Sequence, residues 1–230
     1  MSESVKVIRR RQIPDLLKIS HGIRWFNTVQ QSRSICDSIH KMSFGAMRDE
    51  TEDHEDVVQV ASYTIVAGRK PERDNHYLLS YQRSQGGEDR LESKFSIGIG
   101  GHLRPEEDLY FGSLRELYEE VLMVSYKFNI IGLIHDPGDA VGRAHLGVIS
   151  CAFCESMENL KAVRKEGIYR ARFLPENEFM YHETFGTYER WSQLILTSIG
   201  TQRTIQILDL PSFTKGSLPQ NEPDPETFDQ

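Results

Sequence analysis

Apolar and polar positions divide the chain into three zones. Residues 1 to about 55 carry a stretch with helical apolar spacing, Ile13 to Phe26, and a second around Gln30–Met42. They end in the polar run Asp49-Glu50-Thr51-Glu52-Asp53-His54-Glu55-Asp56, which reads as a loop or linker. From about 56 to 205 strand signals take over. Val57–Ala67 and Tyr77–Tyr81 are rich in β-branched and aromatic residues and flank the turn-like Gly68–Asn75 stretch. Gly86-Gly87-Glu88-Asp89 marks another turn, and Phe95–Gly101 leads toward a helical segment. Phe128–His135 and Ala144–Phe153 read as strands joined by Asp136-Pro137-Gly138-Asp139, followed by a strand at Ile168–Leu174. Tyr188–Ile199 returns to helical spacing through Trp191, Leu194 and Ile195. From about 211 Pro, Ser, Glu and Asp dominate with little to bury, so residues 206–230 are expected to form a disordered tail. Strands, a helix, more strands and a second helix make this an α+β chain with a mixed sheet.

Composition narrows the class. The chain has 230 residues, long enough to bury a sizeable core, and a formal net charge of −7. An acidic balance argues against a nucleic-acid partner or an anionic membrane surface. No apolar stretch approaches the ~20 residues that span a bilayer. The N-terminus lacks a signal-peptide apolar core because Lys6, Arg9, Arg10 and Arg11 interrupt it. Three cysteines give no even disulfide set. The expected setting is cytoplasmic. Cys151-x-x-Cys154 would need further ligands to hold zinc, and in a strand the pair points to opposite faces, so packing is the expected role. Arg9-Arg10-Arg11 reads as a solvated stretch.

The candidate chemistry lies between Gly101 and Met123, behind the glycine-rich Gly98-Ile99-Gly100-Gly101. On a helix at ~100° per residue, Glu116, Glu119 and Glu120 share roughly a 100° arc, with Leu114, Leu117, Tyr118 and Val121 on the opposite side. Like charges at i,i+3 and i,i+4 destabilise a helix by roughly 0.2–0.5 kcal/mol per pair. Glu119 and Glu120 also stand near the C-terminal end, where the macrodipole disfavours them. A hard divalent cation would account for them. So would a solvated acidic face with Arg115 paired to Glu119, or a Ser113-x-x-Glu116 capping box.

The full spacing resembles the Nudix box, G-x5-E-x7-R-E-U-x-E-E-x-G-U with U a bulky aliphatic residue. Gly101, Glu107, Arg115, Glu116, Leu117, Glu119, Glu120 and Met123 stand where that pattern asks. Leu122 replaces its glycine, which implies a helix that runs on or leaves by a different exit. The flanking text around Arg83–Leu91, Ser96–His102 and Val141–Val148 looks like a Nudix subgroup of phosphoesterases without an assigned substrate.

That resemblance implies an α/β/α sandwich over residues 56–205, with 1–55 as a partly helical N-terminal extension. It implies hydrolysis of a pyrophosphate bond in a nucleoside-diphosphate-linked or related small molecule, with Mg²⁺ or Mn²⁺ as cofactor. Glu116 and Glu120 would be the principal metal ligands, with Glu119 and the main-chain carbonyl of Gly100 completing the set. Arg115 and Glu107 would support them behind Gly101. Glu166 is the candidate catalytic base outside the box, and a surface glutamate is the alternative. His102 and Arg83 are candidate substrate contacts, against the plainer readings of a loop histidine and a solvated cation. His145 reads as a structural strand residue. A homodimer follows from the resemblance alone. The rival function is a Nudix-fold binding or regulatory module without catalysis.

Overall fold

The computed structural model describes residues 3–18, 22–70, 73–83, 93–123, 126–154, 160–163, 168–175, 178–179 and 185–199. The elements run β1 (Ser4–Arg9), α1 (Ile13–Leu17), β2 (Gly22–Trp25), α2 (Val29–Met42), β3 (Phe44–Met47), α3 (Arg48–Thr51), β4 (Val57–Lys70) and β5 (Arg73–Arg83). They continue with β6 (Phe95–Ser96), β7 (Gly98–Ile99), α4 (Leu109–Glu120), β8 (Val121–Met123), β9 (Lys127–His135), α5 (Ala140–Ala144), β10 (His145–Cys154), β11 (Leu160–Val163), β12 (Ile168–Pro175) and α6 (Arg190–Ser198).

One ten-stranded mixed sheet organises these elements, with the central order β12-β5-β4-β10-β9-β2. Strand β10 runs parallel to β4, and Leu146↔Val60 and Ile149↔Tyr63 set its register. The other pairings are antiparallel. Alternation along the two central strands divides the core. Val58, Val60 and Val66 of β4, with Leu146, Val148 and Ala152 of β10, pack against α1, α2 and α4. Tyr63, Ile65, Ile149, Cys151 and Phe153 pack under Ile195 and Leu196 of α6. Helices therefore cover both faces, the α/β/α arrangement that the family resemblance implies.

The N-terminal residues are built into this sheet. Strand β1 pairs with β4 through Ile8↔Val58, and β2 pairs with β9 through Ile23↔Ile134. The helix expected over Ile13 to Phe26 stops at Leu17, Lys18 turns left-handed with φ 65°, and the chain resumes as β2. Pairing with β9 outweighs the helical spacing there. The turn expected at Gly68–Asn75 is occupied partly by strand, because β4 extends to Lys70 and β5 begins at Arg73. The polar run from Asp49 begins as the single helical turn α3 and then becomes turns. Arg10 is a brace in this region rather than a solvated charge: its guanidinium donates to the carbonyls of Glu55, His54, Val57 and Arg143. The turn at Gly86–Asp89, Glu166 and the tail fall outside the described residues.

No helix among the described residues is long and apolar enough to cross a membrane.

Candidate functional site

Helix α4 begins at an Asp108 cap, whose carboxylate accepts from the N–H groups of Tyr110 and Phe111. Ser113 is thus inside the helix and buried, which removes the capping-box alternative. The helix ends at Glu120, and Val121 passes directly into β8 with φ −132° and ψ 131°. The exit differs from a glycine turn, as Leu122 implied. Leu114 and Leu117 are buried as expected, but Tyr118 is exposed and meets Tyr126 instead of the core.

Arg115 gathers the acids. Its Nε donates to Glu107 Oε1 at 2.5 Å, and its Nη1 donates to Glu116 Oε1 at 2.7 Å and Glu119 Oε1 at 2.9 Å. Glu107 also accepts at Oε2 from Arg115 Nη2 and from the N–H of Arg104. Burial alone would raise the Glu107 pKa, but the Arg115 hydrogen bonds and charge outweigh it and hold the carboxyl below its ordinary value. The pairing of Arg115 with Glu119 expected of a plain acidic face is present, but it is one arm of a four-residue cluster.

A cleft of about 300 Å³ opens beside this cluster. Glu116, Glu120, Gly100, Gly101, His102 and Arg83, six of the residues singled out in the sequence, line it. Glu107, Arg115 and Glu119 do not, and Glu119 is held at the outer side by Arg115. The glycine run reaches the cleft along β4: Gly101 O accepts from Ser62 N, and Leu103 N donates to Val60 O. Gly100 adopts φ +151° against Ser62, where a β-carbon would stand 2.3 Å from the Ser62 carbonyl oxygen.

His102 and His145 form a pair, Nε2 to Nε2 at 3.0 Å. His145 Nδ1 lies 2.7 Å from the Val141 carbonyl and so must donate to it. A neutral His145 then accepts at Nε2, and His102 donates. Burial, then the His145 and Arg48 charges, push the His102 pKa down to about 3. His102 is thus hydrogen-bonded to His145, as the plainer reading expects, and it also lines the cleft. His145, expected as a plain strand residue, forms part of the cleft wall.

The opposite wall was not legible in the sequence. Arg48, Asp139, Glu189, Arg190 and Trp191 come from α3, the start of α5 and the start of α6. Glu189 is buried, and its carboxylate accepts from the hydroxyls of Tyr63 (2.8 Å), Ser192 (3.2 Å) and Ser96. Its position just before an apolar-spaced helix was the only signal available. Cys151 and Cys154 enter the cores on opposite faces of β10 and take no part in the cleft.

The donor set suits a hard cation. Glu116 and Glu120 present carboxylates one helical turn apart, next to glycine backbone. Mg²⁺ is usually bound through one or two carboxylates, with waters and phosphates as its remaining ligands. Among the described residues, no group of three or more His, Cys, Asp or Glu is clustered as a metal cage.

No family model matches the sequence. It is 26% identical over 159 residues to Protein YmaB of Bacillus subtilis (strain 168), covering 65% of this chain and 74% of that protein. Among solved structures, Tm1382, a candidate Nudix hydrolase, superposes with a TM-score of 0.65 at 22% identity, covering 85% of this chain and 97% of that one. A mutT/nudix family protein from Listeria innocua gives a TM-score of 0.49 at 17% identity, covering 65% and 96%. The chain has the Nudix fold, and its Nudix-box residues sit on the loop and helix that wall the cleft.

Proposed function

We propose that the chain is a divalent-metal-dependent hydrolase that cleaves the pyrophosphate bond of a nucleoside-diphosphate-linked or related small molecule. The observation that carries this reading is the shared opening of Glu116 and Glu120 onto one cleft, behind which Arg115 holds Glu107, Glu116 and Glu119 in a single cluster. Stability gives little reason to gather three acids around one arginine, whereas phosphoryl transfer needs charge neutralised and groups positioned.

Glu116 and Glu120 would hold Mg²⁺ or Mn²⁺, with the Gly100 main chain beside them. The ion would polarise phosphate oxygens and lower the pKa of a water. Arg115 fixes the direction of Glu116 and keeps Glu119 close by for a water-mediated role. Arg83 faces the same space and would bind a phosphate oxygen. Glu189 is already engaged, its Oε1 accepting from the hydroxyls of Tyr63, Ser96 and Ser192, so it is a positioning group in this reading. Glu166, outside the described residues, stays the proposed base. The proposal extends to a cytoplasmic setting and a homodimer.

Glu120→Gln tests it. Turnover of a nucleotide panel, read as released phosphate and nucleoside monophosphate, should need Mg²⁺ or Mn²⁺ and disappear in the variant at unchanged melting temperature. Activity that survives in Glu120→Gln, or in excess chelator, would overturn the assignment. A ligand-induced thermal shift without hydrolysis would point to the binding-module alternative.

A further inference from the structure

Two arginines at the cleft each turn Nε toward a buried carboxylate, Arg190 through a hydrogen bond and Arg83 through an ion pair without one. Arg190 Nε donates to Asp136 Oδ2 at 2.7 Å, and Arg83 Nε lies 3.5 Å from Glu189 Oε2. Both acids are more than nine-tenths buried. They are fixed in turn, Asp136 by the Gly138 N–H at 3.2 Å and Glu189 by its three hydroxyl donors. The arginines come from separate rigid elements, the end of β5 and the first residue of α6, yet line the same cleft as Glu116 and Glu120.

A guanidinium offers five N–H donors in a planar fork. A single contact at Nε orients it and leaves the Nη1/Nη2 edge for another acceptor, the edge that matches a phosphate bidentately. Among the described residues no Nη hydrogen bond is made by either arginine. Asp136 thus fixes the Arg190 fork without occupying it, and Glu189 holds Arg83 beside the cleft by charge.

We propose that Arg83 and Arg190 form a two-point clamp for a polyanion, so that the cleft takes a molecule with at least two phosphoryl groups, and that Glu189 and Asp136 are its positioning residues. This rests on the hydrolase reading only in taking the clamped molecule to be the substrate. The capture itself needs neither metal nor turnover. Two linked contacts bind far more tightly than either alone, because the second forms at a high effective concentration.

Calorimetric titration of the full chain, in chelator and at physiological salt, tests the clamp with inorganic tripolyphosphate against orthophosphate. A charge-assisted hydrogen bond is worth roughly ten- to a hundredfold in affinity. Tripolyphosphate should therefore bind at least about tenfold more tightly than orthophosphate. Arg190→Ala should reduce tripolyphosphate affinity to the orthophosphate level, with orthophosphate binding itself changed by no more than about twofold. Arg190 is half-exposed, so the variant should fold. Arg190→Lys, which keeps the charge but loses the fork, should recover only part of the loss. Asp136→Asn should weaken tripolyphosphate while sparing orthophosphate, a split that general destabilisation would not produce. Equal affinity for the two anions in the wild type, or undiminished tripolyphosphate binding in Arg190→Ala, would overturn the clamp. Absence of hydrolysis with this binding pattern intact would instead count against the proposed activity and leave the clamp standing.

Discussion

Glu116 Oε2 lies only 2.6 Å from the point that a β-carbon on Gly101 would occupy. The glycine is therefore needed for close approach: any side chain there pushes the carboxylate that faces the cleft. Gly101→Ala should displace Glu116 rather than unfold the protein, since the obstacle is the end of a side chain. The expected cost in stability is about 1 kcal/mol, at the low end of overpacking. Metal-dependent turnover should fall much further than that. Combining Gly101→Ala with Glu116→Gln should add nothing to the loss from Glu116→Gln alone, because both act through one carboxylate. Additive losses would show that the glycine acts elsewhere.

Arg115 should be the most sensitive residue of the cluster. Removing it leaves Glu107 and Glu116, both largely buried, beside Glu119 without their shared counter-ion. Breaking a buried pair costs about 3–5 kcal/mol, and solvent screening at this partly open site reduces that to about 1–3 kcal/mol. Arg115→Lys should recover little, since an ammonium cannot reproduce the fork that reaches three carboxylates. Urea unfolding of both variants measures this; a lysine variant as stable as the wild type would contradict it.

Acid should weaken the same cluster. The Glu107 carboxyl titrates below its ordinary value of 4.5 in the folded chain. A depressed pKa stabilises the fold above the unfolded value, and the benefit is lost as pH falls through the folded pKa. Glu107→Gln should therefore be less stable than the wild type at neutral pH, with the gap closing as pH drops below about 4.5. Melting temperatures of the two proteins against pH give the comparison. A gap that stays constant down to the acid transition would remove the ion pair as its source.

Legibility in the sequence followed how local each signal was. Helix α4 was readable because its apolar spacing, its acids and Arg115 lie within one segment, and the Arg115–Glu107 contact spans eight residues. Strand Gly22–Trp25 was misread because its partner, β9, lies more than a hundred residues away, and a four-residue piece carries too little alternation of its own. The second cleft wall failed to show for the same reason. Arg83, Glu189, Arg190 and Asp136 meet only after the sheet brings β5, β9 and α6 together, and no spacing in the chain encodes that. His145 shows the limit of pattern alone: strand placement was right, but which neighbour its ring would find depended on the glycine run crossing β4.

The two cysteines of β10 should behave as packing residues. Burial pushes the Cys151 thiol up to about 12 and the Cys154 thiol up to about 11, so neither supplies thiolate at neutral pH. Iodoacetamide at pH 7.5 should leave Cys151 and Cys154 unmodified in the native protein and alkylate both after denaturation, as peptide mass mapping would report. Rapid native labelling of Cys151 would mean that the strand opens. Zinc bound in stoichiometric amount would mean that the pair is not split between the two cores.

Gly98 offers a test of how tightly the two cleft walls are joined. A β-carbon there would stand 2.1 Å from the Tyr63 ring, which is buried. The ring has nowhere to retreat: it meets Trp191 edge-on at 5.6 Å, and its hydroxyl donates to Glu189. Gly98→Ala must therefore shift either the β7 backbone or the tyrosine that anchors the acid behind Arg83. Overpacking costs about 1–3 kcal/mol, and loss of a buried hydrogen bond adds about 1 kcal/mol. Melting should fall by roughly 4–16 °C for a chain of this size. Tyr63→Ala removes the obstruction, so in the double variant the Gly98→Ala change should cost almost nothing further. If its cost persists without the tyrosine ring, the strain lies in the glycine backbone and not in the contact between the strand and the ring.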